Sequence, residues 1–288
     1  MSDTSTRTHH RVCHLCEAMC GLVIQTEGDK VTDIRGDKDD PLSRGHVCPK
    51  AVALQDIHED PDRLRKPMKR IRTAPGEYQH VEIEWSEALD LAADALASTI
   101  EQQGVDAIGA YFGNPSVHNY GMLTHQRNLF RHIRTRNRFS ATSVDQLPHH
   151  LVSLWCFGHM LLHPIPDVDR THYFLMLGAN PLASNGSIWT VPDVRQRLKD
   201  LKSRGGKLVV VDPRRTETAE LASEHLFIRP GSDAAFLLAM IHVLFRDDLV
   251  APGPLADFTD GLDEVAAAVR DRKSTRLNSS HQIISYAV

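Results

Sequence analysis

The sequence predicts an α/β protein in two parts, a small β-rich module at the N-terminus followed by a larger region built on parallel sheet. Three observations predict this. Four of the five cysteines, Cys13, Cys16, Cys20 and Cys48, fall within the first fifty residues. Beside them, residues 21–35 read as a strand, a Glu27-Gly28-Asp29-Lys30 turn and a second strand. From about residue 171, short apolar strands alternate with amphipathic helices, the pattern of a parallel sheet with right-handed crossovers.

Composition bounds the reading before any motif is weighed. The 288 residues are 41% hydrophobic and 24% charged, an ordinary globular balance that allows one large domain or two smaller ones. A net charge of −4 with no basic block argues against nucleic acid or an anionic membrane as a partner. No apolar run approaches the roughly 20 residues a membrane span needs. Only twelve residues precede Cys13, too few for a signal peptide or a twin-arginine leader, so the expected location is the cytoplasm. Residues 1–10 read as a disordered arm. The last stretch, 271–288 (DRKSTRLNSSHQIISYAV), breaks composition with what precedes it. Back-translated, residues 271–281 and 284–288 fit a common short-read sequencing adapter on either side of an index. The expectation is that the native reading frame is cut near Arg270 and that the chain is a fragment. Sequencing the source locus past the Arg270 codon tests this.

The cysteines are spaced C-x2-C-x3-C-x27-C. Three thiolates on one short loop, with a fourth returning from a distance, can each hold one corner of a [4Fe–4S] cube. A zinc site normally pairs two C-x2-C knuckles. Cys48 has no second cysteine or histidine two to four residues after it, although His46 lies two before. A disulfide framework is disfavoured without a secretory segment. The cluster is the preferred reading, and a zinc-stabilised binding module stays open as an alternative. The module is expected over 11–57, with the hairpin excluding water from the cube and offering N–H groups to its sulfurs. Asp37–Arg44 is an acidic loop. Lys50 follows Cys48 by two residues; on position alone it reads as a solvated lysine.

Along the region 58–270, residues 61–75 are basic, Pro-punctuated and read as a connector. Trp85 opens a helix with Ser86 as N-cap and Leu89, Ala92, Ala93 and Leu96 on one apolar face, ending at Gly104. Val105–Phe112 reads as a strand stopped by Gly113-Asn114-Pro115, and residues 119–133 as a helix within an Arg-rich stretch, 127–138. Phe139–His150 is polar and too irregular for a helix or strand, a setting for a site or for a plain surface loop. Cys156, among Leu, Trp and Phe, reads as a buried inert thiol. Thr171–Leu177 is a buried strand, Asp193–Ser203 a helix closed by Gly205-Gly206, and Lys207–Val211 a second strand. His225–Ile228 is a third, and Ser232 opens another helix. Ligands in such sheets bind beyond the C-terminal strand ends, where Gly178, Asn180, Asp212, Arg214, Thr216, Gly231 and Asp233 gather. The absence of GxGxxG disfavours NAD. Small residues, helix starts and Arg/Thr donors still suit a nucleotide phosphate, and an acid after a strand suits a ribose or guanine edge.

The cysteine pattern with Cys48-Pro49-Lys50, then GANPLASN (178–185), VVVDPRRTETA (209–219) and RPGSDAAFLLAM (229–240), resembles the N-terminal part of a molybdopterin oxidoreductase. More narrowly it resembles the DMSO reductase superfamily, which includes formate dehydrogenases and periplasmic nitrate reductases, over about Arg11 to Phe245. The resemblance implies a bis(molybdopterin guanine dinucleotide) cofactor carrying molybdenum or tungsten, beside the [4Fe–4S] cluster. It makes Lys50 the bridge between cluster and pterin, and it places the residues at the strand ends around one guanine dinucleotide. In formate dehydrogenases a cysteine or selenocysteine ligates the metal in a segment matching Asn137–Pro148. An ungapped match puts Asp145 at that ligand position, with Ser143 in reserve; a hard oxygen ligand suits a high-valent metal. The missing thiolate speaks against formate oxidation and the periplasmic nitrate chemistry. His149 and His150 are candidates to assist proton transfer. The implied activity is that of a catalytic subunit passing electrons between a small substrate at the metal and the cluster, and on to a redox partner. A non-catalytic relay like that of respiratory complex I is the alternative. The chain as written is expected to be inactive, because sheet faces meant for the missing part stay exposed.

Overall fold

The computed structural model describes residues 5–113 and 115–270. They form two compact units, one of residues up to Pro166 with Ser187–Asp193, the other of Asp167–Gly186 with residues from Val194 onward.

The first unit opens on an antiparallel sheet, β1 (Thr6–Val12), β2 (Gly21–Glu27) and β3 (Lys30–Gly36), in the order β1-β2-β3. The turn between β2 and β3 uses Gly28 at φ +59°. The expected disordered arm is corrected over Thr6–His10, which lie in β1. This strand is held by backbone pairing with β2, from Thr6↔Glu27 to Val12↔Gly21, while almost all its side chains stay exposed. A strand with no buried face leaves no apolar alternation to read. Two short helices follow, α1 (Pro49–Val52) and α2 (Leu54–Glu59). The connector expected over 61–75 is also corrected: β4 (Met68–Ala74) pairs antiparallel with β5 (Glu77–Glu82), and the Arg70 guanidinium lies 4.7 Å from the Tyr78 ring centre.

Helix α3 (Trp85–Gln103) ends at Gly104 as expected, but its N-cap is Glu84 and Ser86 lies inside the first turn. Its expected apolar face is not covered, and Leu89 is 63% exposed. The strand expected from Val105 is shortened to β6 (Ala110–Phe112), behind a 3₁₀ turn at Val105–Ala107. After α4 (Pro115–His118), α5 (Tyr120–Ile133) starts where Asn119 Oδ1 accepts the Met122 N–H at 2.9 Å. β7 (Arg138–Ser140) pairs parallel with β6. The irregular stretch expected over 139–150 resolves into the end of β7, a 3₁₀ turn at Ala141–Ser143 and the first turn of α6 (Leu147–Phe157). Pro148 suits that first turn, where its missing N–H costs nothing. Cys156 is exposed, a correction to the buried thiol expected; its neighbours Trp155 and Phe157 are exposed too, so local apolarity did not signal burial.

The second unit is a three-layer arrangement in miniature. Its elements are β8 (Tyr173–Leu177), α7 (Pro181–Ser184), α8 (Val194–Ser203), β9 (Lys207–Val211), α9 (Glu217–Leu221), β10 (Glu224–Leu226), α10 (Asp233–Arg246) and α11 (Leu262–Arg270). The sheet order is β10-β9-β8, parallel throughout, so the expected strand–helix alternation holds and β9 is central. Leu208, Val209, Val210 and Val211 are at most 1% exposed, as a strand covered on both faces requires. On one side Leu198 and Leu201 of α8 are fully buried, and the buried Arg197 is paired with Asp169. Val211, Ile228 and Phe236 of α10 form a further core with Leu175, Leu177, Leu226 and Met240. The adapter-like stretch 271–288 lies outside the described residues.

Candidate functional site

Strands β1 and β2 hold the cysteine loop between them. The Cys13 N–H donates to the Cys20 carbonyl at 2.9 Å, closing the loop directly above the last paired residues, Val12 and Gly21. Cys48 comes from the other direction, as the N-cap of α1. None of the four thiols is in a disulfide. Cys13 and Cys20 are buried with Ala18, Leu22, Ile34 and Ala51, and Cys16 and Cys48 pack against the same cluster. This shell raises the thiols. Burial pushes Cys20 up to about 11, aided by the charges of Cys13, Cys16 and Cys48. Burial also raises Cys13, against the opposing effect of the Lys50 ammonium. Cys13 and Cys20 therefore each stand within charge reach of the other and of Cys16 and Cys48, and Lys50 within charge reach of Cys13.

A carboxylate laces the loop behind them. Asp40 accepts from the Ser43 hydroxyl, from Ser43 N at 2.8 Å and from Gly21 N at 3.3 Å, and these bonds hold its pKa below the usual value. Asp40→Ala is expected to cost about 1–2 kcal/mol at neutral pH, within the range for hydrogen bonds to charged groups. A depressed carboxyl contributes stability above its unfolded pKa of about 3.9 and loses it as pH falls through the folded value. Thermal melts of wild type and variant should therefore differ at pH 7 and converge below about pH 3.9.

Asp145 follows the 3₁₀ turn after β7, its N–H bonded to the Ala141 carbonyl at 3.0 Å, and its side chain is exposed. It lines a cavity of about 890 Å³ at the ends of β6 and β7, together with Gln146 and Glu17. Arg127, Arg131, Arg134 and Arg138, the Arg-rich stretch of the sequence, face the same space. Ser143, the reserve ligand, turns its hydroxyl back to the Ser140 carbonyl at 3.3 Å. His149 is exposed and is not among the cavity-lining residues. His150 is buried, with its ring 5.0 Å from that of His163. His163 in turn shares a 2.9 Å hydrogen bond with the Ser153 hydroxyl. Sequence reasoning gave Glu17 no role, though it is a charged residue directly after Cys16.

In the second unit the C-terminal ends of β8 and β9 meet as expected. The Gly178 N–H donates to the Val211 carbonyl at 2.9 Å. Asp212 Oδ1 accepts from Arg214 N at 2.7 Å, shaping the turn, and Thr216 Oγ1 caps α9 by accepting from Ala219 N at 3.1 Å. Asn180 is held from both ends: Thr218 Oγ1 donates to its Oδ1 at 2.7 Å, and its Nδ2 donates to Glu217 Oε2 at 2.8 Å. Its own backbone N–H, then the Asn180 bond and the Arg214 charge, hold the Glu217 carboxyl below its ordinary value. Asp212, Thr216 and Asn180 thus build the loops, while Gly178 and Arg214 stand exposed at the rim. Gly231 (φ +79°) and Asp233 sit at the start of α10, on the connection that follows β10. Thr218 and Glu217 lie inside the VVVDPRRTETA run but were not singled out from it. Thr218→Val, which keeps the shape and removes the hydroxyl, is expected to cost about 1–3 kcal/mol by leaving Asn180 Oδ1 and Leu182 N unpaired. Denaturant unfolding of wild type and variant checks this.

The molybdopterin oxidoreductase profile matches residues 63–273, and the molybdopterin oxidoreductase Fe4S4 domain matches residues 6–59. The chain belongs to the molybdopterin oxidoreductases. Formate dehydrogenase H of Escherichia coli is 29% identical over 261 residues, covering 88% of this chain and 35% of its own length. The periplasmic nitrate reductase of Desulfovibrio desulfuricans is 26% identical over 84% of this chain and 31% of its own. Among solved structures, acetylene hydratase from Pelobacter acetylenicus superimposes with a TM-score of 0.68 at 26% identity, over 91% of this chain and 35% of that one. The chain spans about a third of the length of these relatives.

A molybdopterin oxidoreductase with its Fe4S4 domain uses a [4Fe–4S] cluster and a pterin-held molybdenum or tungsten. The donor set fits the cluster. Four thiols, none of them in a disulfide, share one apolar shell. In this molybdopterin oxidoreductase no described helix is long and apolar enough to cross a membrane.

Proposed function

We propose that this chain is the cluster-bearing and nucleotide-holding part of a cytoplasmic catalytic subunit. Its substrate is small, its metal cofactor is a bis(molybdopterin guanine dinucleotide), and its electrons go to or come from a redox partner protein. When bound, the metal would supply two-electron chemistry and the cluster single-electron transfer. The chain's own part is to hold, insulate and orient. Cys13, Cys16, Cys20 and Cys48 hold the cluster as thiolates, releasing their protons as it is loaded. Leu22, Ile34 and Ala51 keep water from it. Lys50 offers its ammonium on the pterin side. Gly178, Arg214, Gly231 and Asp233 form the rim for one guanine dinucleotide, on loops braced by Asn180, Asp212 and Thr216. Asp145 offers an oxygen ligand to the metal. His149, exposed beside that segment, exchanges protons with solvent.

The observation that carries this reading is the four-thiol shell with Lys50 in charge reach, inside the stretch matched by the Fe4S4 domain. The test is elemental analysis of the full gene product carrying this chain, purified anaerobically. About four iron atoms with acid-labile sulfide, and one molybdenum or tungsten, are expected per chain. Iron without molybdenum or tungsten would mark a relay protein instead. Zinc without sulfide would sink the proposal.

A further inference from the structure

Glu17 sits between two cysteines of the loop and is half-buried. Its Oε1 accepts a hydrogen bond from Gln146 Nε2 at 2.9 Å, across 129 residues of chain. Gln146 adjoins Asp145, and all three side chains line the same cavity. Gln146 is also the N-cap of α6 but makes no side-chain capping bond, so its amide is committed to Glu17 instead.

Packing does not fix the Asp145 segment. Residues 141–145 are all exposed. The hydrogen bonds of Thr142, Ser143, Val144 and Asp145 run within residues 140–145 and shape the turn without anchoring it. The Glu17–Gln146 bond reaches outside, from the cysteine loop.

We propose that Glu17 is a positioning residue: through Gln146 it holds the Asp145 segment at a set place beside the cysteine loop. The inference rests on the reading that this chain carries both a cluster and a metal site. Residues that hydrogen-bond around metal centres orient the groups that touch the metal, and a partner lost at that remove typically changes the centre's properties. Glu17 would act in that way from the cluster side, so one loop would set the geometry of both centres.

The test uses the full gene product, anaerobically purified. Glu17→Ala is expected to split the metal centre's EPR spectrum into more than one species while iron and sulfide stay at wild-type levels. Amide exchange over residues 144–146 should rise about tenfold, as expected for one lost hydrogen bond of about 1.4 kcal/mol. Glu17→Gln keeps an acceptor oxygen and should resemble wild type. The exchange pair Glu17→Gln with Gln146→Glu restores an N–H···O bond in the opposite sense and should recover the single spectrum. If Glu17→Ala loses iron, the exchange pair decides: recovery supports the inference, and a split spectrum with cofactors intact overturns it. A Glu17→Ala protein with full metal content, a wild-type spectrum and wild-type exchange overturns this inference alone. Wild-type protein lacking molybdenum and tungsten overturns the proposed function and this inference together.

Discussion

Cys20→Ala is expected to abolish cluster loading, taking iron and acid-labile sulfide from about four per chain to below one. Cys20 is the loop's closing residue. Its carbonyl receives the Cys13 N–H, its side chain is 7% exposed, and the next residue opens β2. Alanine there removes one corner ligand from a site with no spare thiol nearby, since the fifth cysteine, Cys156, is exposed on α6. Metal binding in such modules is also folding free energy, so the loss should loosen the β1–β3 sheet. Iron and sulfide assays with the broad absorbance near 400 nm measure the first effect, and thermal melting the second. Cys156→Ala is the control and should leave all three unchanged. Full iron content in Cys20→Ala would refute the ligand assignment.

Gly36→Ala comes next in severity. A Cβ at Gly36 would stand 2.0 Å from the Gly45 carbonyl oxygen and 2.6 Å from its carbon. Backbone atoms cannot swing aside as a side-chain tip can, and Gly45 is itself at φ +82°, where other residues are strained. This close approach seats the loop leading to Cys48 against the end of β3. The cost is expected at the upper end for overpacking, about 3 kcal/mol or more, and cluster loading should fall with it. Gly109→Ala, where a new methyl meets nothing within 4 Å, should melt like wild type. Equal melting temperatures for Gly36→Ala and wild type would show that the contact does not exist in solution.

Much of this molecule was legible along the chain. The four clustered cysteines, the β2–β3 hairpin and the β8–β9–β10 alternation each announce themselves by spacing or period. Gly104 and Asn119 marked helix ends because their roles are local: a positive φ at one, a side-chain acceptor for the first turn at the other. The misses share a cause. β1 has no buried face, β4 hides inside a basic run whose partner strand is equally polar, and Ser86 resembles a cap but sits two residues past the Glu84 cap. Cys156 and the α3 stripe show the opposite error, where apolar residues gather along the chain without being buried.

The candidate site divides in the same way. Cys13, Cys16, Cys20 and Cys48 stand out as candidates by spacing, because three thiols on a short loop and one returning from a distance can each take one corner of a cube. Asn180, Asp212 and Thr216 could be named too, but their hydrogen bonds to the loops could not, since those partners come from the folded neighbourhood. Glu17 carries no local signal. Its partner is Gln146, and a hydrogen bond spanning 129 residues leaves no period, cap or motif behind. Local pattern records what a residue does to its own turn or strand, because that chemistry is repeated every two to four positions. Contacts between distant segments arise when packing brings them together, and nothing in either segment alone specifies them.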